Sequence, residues 1–174
     1  MRLLKFLWLV VVLVVFFGCT TTTGVIQNNN FSVENNFSVG LLDSDWQVER
    51  QKVFSDGIIK RQNTPWAIGF SHTKSSGFIG VYAWQLSEID QARSLDVIAD
   101  SIVANSGGLK LSQKTVKVDG YDAIELVTSG TYMKKQILFK KGDRGYLLRY
   151  SNSPTYFDQY LNVFDSFVGT FKVL

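Results

Sequence analysis

Between Lys114 and Ser151, four strand-like runs follow one another with only short turn clusters between them, and nothing else in the chain narrows the fold so far. Lys114–Val118 meets Tyr121–Thr128 across Asp119-Gly120, a dipeptide that favours tight hairpins. Ser129-Gly130 leads into Thr131–Lys140, and Gly142-Asp143-Arg144-Gly145 leads into Tyr146–Ser151. Strands joined this closely must run antiparallel, because a parallel pair needs a crossover of a dozen or more residues. Alternation sets the buried faces: Ile124 with Leu126; Met133, Ile137 and Phe139; Tyr146, Leu148 and Tyr150.

Upstream, Phe37–Leu42 reads as a short strand, with Trp46 beside the turn-forming Asp43-Ser44-Asp45. Gln51–Ile59 is a weaker strand; Trp66–Ser71 and Gly77–Leu86 are stronger, joined by the polar loop His72–Gly77. Tyr82 and Trp84 interleave with Phe78, Val81, Ala83 and Leu86, a density expected of a central strand. The period then changes. Ile89, Ala92, Leu95, Ile98, Ala99 and Ile102 fall on one helical face, with Ser87 and Asp90 as an N-cap box and Asn105-Ser106-Gly107-Gly108 as the stop. A last helix is capped by Ser153, has Pro154 at its first position, carries a stripe of Phe157, Tyr160, Leu161, Phe164 and Phe167, and ends at Gly169. Thr170–Leu174 reads as a brief terminal strand. Strands, helix, meander and helix together predict an α+β domain.

The first nineteen residues obey another logic. Arg2 and Lys5 precede an apolar run from Phe6 to Phe17, and Gly18-Cys19 closes it. Twelve helical residues reach roughly 18 Å, short of a hydrocarbon core of about 30 Å. Charged front, apolar middle and small residue before a cut form a secretion signal. Val15-Phe16-Phe17-Gly18-Cys19 resembles the lipobox of bacterial lipoproteins, with Phe16 where Leu is usual. That resemblance implies that residues 1–18 are removed and that the Cys19 sulfur and amine carry acyl chains, which more than one chain makes a stable anchor. An uncleaved signal anchor and a plain secreted protein are the alternatives. Cys19 is the sole cysteine, which excludes an intrachain disulfide.

Removing 18 of the 174 residues leaves 156, one domain with a tether. The formal charge drops from +3 to +1 as Arg2 and Lys5 leave, so nothing in the overall balance calls for nucleic acid. Residues 19–36 read as a flexible spacer, with Gln27-Asn28-Asn29-Asn30 too polar to bury. The echo Asn29-Asn30-Phe31-Ser32-Val33 and Asn35-Asn36-Phe37-Ser38-Val39 reads as a duplicated spacer end leading into the first strand, and residues 37–174 form the domain.

The mid-chain helix, the hairpin Val118-Asp119-Gly120-Tyr121-Asp122-Ala123, the strand Tyr146–Ser151 and the aromatic helix Phe157–Phe167 resemble the PsbP/Mog-like superfamily, to which DcrB-like bacterial lipoproteins are similar. The resemblance covers about Phe37 to Leu174. It implies an α/β/α sandwich around a mainly antiparallel sheet, and a non-catalytic accessory or binding role. It carries over no catalytic residue, and the metal-binding histidines of photosynthetic members have no counterpart here.

Chemistry-bearing groups are sparse. His72 is the only histidine, so a His/Cys zinc site is excluded, and Asp43, Asp45 and Glu49 lack a calcium-loop spacing. No G-x-S-x-G elbow exists, and a triad would have to recruit His72, which reads as an incidental surface residue. Asp96 and Asp100, like Asp158 and Asp165, read as polar outer faces of helices, and Lys140-Lys141-Gly142-Asp143 as a hairpin turn rather than a phosphate cradle. Lys134, Lys135, Lys140, Lys141 and Arg144 gather on one hairpin. They read as protection of an edge strand or as a contact surface for anionic lipid or an acidic partner. Trp46, Trp66, Trp84, Tyr82, Phe78 and the last helix read as core, or else as the lining of an apolar pocket.

The expectation is a lipid-anchored, non-enzymatic envelope protein with no metal or cofactor, tethered through Cys19 and binding a protein or envelope component. Thr20, not Asp, follows Cys19, which by analogy with enterobacterial sorting favours the outer membrane facing the periplasm. A carrier of a small apolar ligand and a hydrolase with an unrecognised site are the other readings.

Overall fold

A computed structural model describes residues 24–33, 36–50 and 66–174. The leader, with Cys19, and the strand expected over Gln51–Ile59 lie outside the described residues. Eleven described strands form two sheets. The larger has the order β4 (Trp46–Arg50), β5 (Trp66–His72), β6 (Phe78–Gln85), β10 (Arg144–Asn152), β9 (Met133–Lys141), β8 (Tyr121–Ser129), β7 (Leu109–Val118), every pair antiparallel. The expected meander β7–β10 is present. Its first turn has Asp119 and Gly120 both at positive φ, 49° and 84°, which the right-handed strand twist prefers in a two-residue hairpin. With strands as the main content and few helices, the domain is α+β.

The two faces of this sheet carry separate cores. On one, Tyr82, Trp84, Leu126, Leu138 and Leu147 meet Ile98, Ala99 and Ile102 of the helix Leu95–Ser106. On the other, Phe70, Val81, Phe139, Tyr146 and Tyr150 meet Phe157, Phe164, Phe167 and Phe171 of the C-terminal layer. Strands with neighbours on both faces bury consecutive residues, which is why β6 and β10 lack polar alternation.

The smaller sheet corrects the spacer. Residues 24–33, expected within it, form β1 (Val25–Gln27) and β2 (Asn30–Val33), which pair antiparallel and continue to β3 (Phe37–Gly40) and β11 (Lys172–Val173). Asn28 and Asn29 have φ of 50° and 59°, a conformation Asn tolerates better than most residues. The polar Asn run is therefore a hairpin turn, and the echoed Phe31 and Val33 are buried beside Phe37 and Val39. The terminal strand expected at Thr170–Leu174 is β11.

Both helical stretches are interrupted. The first is α1 (Glu88–Ala92) and α2 (Leu95–Ser106), parted at Arg93–Ser94. Ser87 Oγ accepts from the Asp90 amide as expected, but Ser94 Oγ starts a second cap by accepting from Val97. Lys140 Nζ donates to the Gln91 and Arg93 carbonyls, both at 2.7 Å, and so satisfies acceptors that the break exposes. Ile89 consequently lies off the buried stripe, 66% exposed. The last stretch is α3 (Pro154–Phe157), a 3-10 turn (Asp158–Tyr160) and α4 (Leu161–Thr170). Ser153 makes no side-chain cap, contrary to expectation, and its amide donates to Asn152 Oδ1. Gly169 lies inside α4, not at its end.

Candidate functional site

Strand β9 is flanked by β8 and β10, so its lysines protect no edge. Alternation also divides the hairpin charges between two faces. Lys135 and Lys141 stand on the side of Ile137 and Phe139, while Lys134 and Lys140 stand on the side of Leu138. Lys135, 12% exposed, reaches Asp165 at 2.6 Å and Glu125 at 3.4 Å, tying β9 to α4. Lys140 is the carbonyl cap between α1 and α2. Lys141 lies 5.7 Å above the Tyr121 ring, and Arg144 bonds the Tyr146 hydroxyl. Lys134 lines a shallow cleft of about 200 Å³ between two turns, with Ser106, Gly108, Thr128, Thr131 and Tyr132. The five cations share a hairpin but do not make one surface.

Of the carboxylates singled out in the sequence, Asp43, Asp45, Glu49, Asp96, Asp100 and Asp165 are engaged within the fold. Asp43 accepts from the Asp45 amide, Asp45 pairs with Lys74, and Glu49 bonds the Ser71 hydroxyl. Asp96 holds Gln113, and Asp100 holds Lys110. No group of three metal-ligating side chains exists among the described residues. Trp46 belongs to one core, and Tyr82 and Trp84 to the other, so these aromatics do not converge on one cavity.

His72 is not a surface residue. It ends β5, is 6% exposed, and lies between Trp46, with ring centroids 5.0 Å apart, and Tyr160, at 4.4 Å. The Lys74 amide donates to His72 Nδ1 at 3.2 Å, and the Ser75 hydroxyl lies 3.0 Å from the same nitrogen. Ser75 Oγ also receives the Gly77 amide, at 3.1 Å, and Asn152 Nδ2, at 3.4 Å. Asn152, wholly buried, joins this tip to the C-terminal layer: its Nδ2 reaches Tyr150 Oη, and Tyr150 Oη donates to the Phe157 carbonyl at 2.9 Å. Burial holds the Tyr150 hydroxyl above the ordinary tyrosine range, against the pull of its bond to Asn152. Sequence reasoning found His72 but missed Asn152, whose polar side chain nothing in the local pattern marks as buried.

A second polar pair lies across the sheet. Arg149 Nε donates to Gln136 Oε1 at 3.2 Å, and the guanidinium lies 5.4 Å from the Tyr82 ring centre. Arg149 offers only donors, so the Gln136 atom facing it must be the oxygen. That leaves Gln136 Nε2 buried without a hydrogen bond among the described residues.

No protein-family model matches the chain, and no curated protein matches it. Solved structures do. The solution structure of cyanobacterial PsbP (CyanoP) from Synechocystis superposes with a TM-score of 0.59 at 13% identity, over 90% of this chain and 100% of that one. The fold is PsbP-like. A crystal structure from Bacteroides thetaiotaomicron gives 0.51 at 13% identity, over 86% of this chain and 49% of that one. A protein of unknown function from Pseudomonas aeruginosa gives 0.50 at 10% identity, over 73% of this chain and 96% of that one. At such identities the likeness is one of backbone, and it transfers no site.

Proposed function

We propose that this chain is a bacterial envelope lipoprotein, held at the outer membrane by acyl chains on Cys19, whose domain is a non-catalytic accessory or binding module on the periplasmic side. The observation that carries the reading is the leader: a charged front, twelve apolar residues and Gly18 before the sole cysteine. Its architecture is an α/β/α sandwich with the small sheet sharing the C-terminal layer. What supports a binding rather than a chemical role is that Asp43, Asp45, Glu49, Asp96, Asp100 and His72 are each engaged in hydrogen bonds within the fold. The partner is a protein or another envelope component. The turn side of the β9–β10 hairpin, where Lys141 and Arg144 stand, and the cleft beside Lys134 are its candidate contact surfaces.

Intact-mass analysis of the membrane fraction tests this. The mature chain should begin at Cys19 and carry the added mass of acyl chains, and Cys19→Ala should move the protein to the soluble fraction. A membrane-bound chain that keeps Met1 and a free thiol would remove the basis of the proposal. Charge reversal of Lys134, Lys141 and Arg144 together should reduce captured partners, and unchanged capture would dismiss these surfaces.

A further inference from the structure

The sequence contains one histidine, so one side chain carries the charge change that histidines undergo between about pH 5 and pH 8. Its surroundings fix which form the fold uses. A backbone amide can only donate, so His72 Nδ1 must accept from Lys74, and the neutral ring carries its proton on Nε2. Ser75 completes the argument. Its oxygen already receives the Gly77 amide and Asn152 Nδ2, which occupy both lone pairs, so its own proton is left to point at Nδ1. Two donors thus converge on one ring nitrogen. Adding a proton to Nδ1 would set N–H against N–H at Lys74, and would meet a serine oxygen with no lone pair to spare.

We propose that His72 is a protonation-sensitive latch, which in its neutral form holds the β5–β6 tip (residues 73–77) against the C-terminal helical layer and releases it when Nδ1 is protonated. The latch spans three elements. Trp46 of β4 and Tyr160 of the 3-10 turn clasp the ring, and Asn152 hands the Ser75 connection on to Tyr150 and Phe157. The charged neighbours do not supply a counterion dedicated to an imidazolium. Asp45 on the β3–β4 turn is paired with Lys74 at 3.1 Å, Glu49 on β4 is bonded to Ser71, Asp158 at the start of the 3-10 turn acts on Tyr150, and burial keeps the Tyr150 hydroxyl protonated. A cation in the ring's place gains the faces of Trp46 and Tyr160 but loses two hydrogen bonds and a solvent shell.

The test follows amide hydrogen exchange of the full-length protein in detergent from pH 8 to pH 5, corrected for intrinsic rates, beside the nitrogen-15 shifts of the imidazole. Protection of the Lys74 and Gly77 amides should fall at least tenfold in step with protonation of the ring, while amides of β9 stay protected. His72→Asn places a carbonyl oxygen near the position of Nδ1 without a titrating group, and should abolish the pH dependence. The proposal is overturned if the ring takes up its proton while Lys74 and Gly77 keep their protection, or if His72→Asn shows the same fall. Should that variant not fold, the paired wild-type readouts still decide, because uncoupled titration and exchange exclude the latch.

Discussion

The two sides of the seven-stranded sheet solve the same burial problem with different materials. Against α3 and α4 the contact is aromatic: Tyr150 stacks on Phe157 at 5.2 Å and on Phe164 at 5.9 Å, and Phe70 meets Phe167 edge to face at 5.5 Å. Against α2 it is mostly aliphatic, with Ile98, Ala99 and Ile102 over Leu126 and Leu138. Each side also buries an amide. Asn152 uses both ends of its side chain, whereas Gln136 uses only its oxygen. The aromatic side is therefore the one whose sheet amide is bonded at both ends, and with its larger buried rings it should hold the larger share of the stability.

The largest test of that contrast is Phe164→Ala in the aromatic side. It should lose about 3–5 kcal/mol in urea unfolding, because a fully buried ring leaves a cavity that strands on a rigid sheet cannot fill. Asn152→Ala comes next. It strips a donor from the buried Tyr150 hydroxyl and an acceptor from the half-buried Ser153 amide, and a buried group left unpaired costs about 1–3 kcal/mol. Gln136→Met should stay within about 1 kcal/mol of the parent, because removing the orphaned amide N–H₂ offsets the acceptor taken from Arg149. A loss at Gln136 equal to that at Asn152 would erase the distinction between the sides.

Titration gives smaller effects that again separate regions. Burial raises the Tyr146 hydroxyl, with Arg144 opposing, and burial likewise raises Tyr150. The unfolded chain then loses these protons first, so stability should fall as pH rises through about 10, seen as a declining urea midpoint. Asp119 moves the other way: the Val173 amide, then Lys172, hold its carboxyl below the usual range. Its contribution is present above about pH 4 and fades as the pH drops through its folded value. Because the Lys172–Asp119 pair is partly exposed, Asp119→Asn should cost only about 0.2–1 kcal/mol at neutral pH, by urea midpoint.

Local chemistry that depends on neighbours in sequence was legible. The Asp119-Gly120 hairpin, the Ser87 cap, Pro154 at a helix start and the face shared by Met133, Ile137 and Phe139 all follow from spacing alone. What sequence hid was tertiary. The break after Ala92 depends on Lys140, some fifty positions away along the chain, taking the freed carbonyls. The place of β9 inside the sheet turned a row of lysines from edge protection into ties to α4 and α1. The burial of His72 rests on Trp46 and Tyr160 closing over it. The Asn28-Asn29 turn was readable in principle, since adjacent asparagines suit paired positive φ, but its polarity resembled that of a linker.

The terminal strand β11 closes the small sheet by pairing Lys172 with Ser38 and Val173 with Phe37. The two strands stand roughly 130 positions apart, so the edge of the small sheet is filled by a contact of high sequence separation. Such contacts close only after the loop entropy between them has been overcome, which makes this edge a slow one to complete during folding.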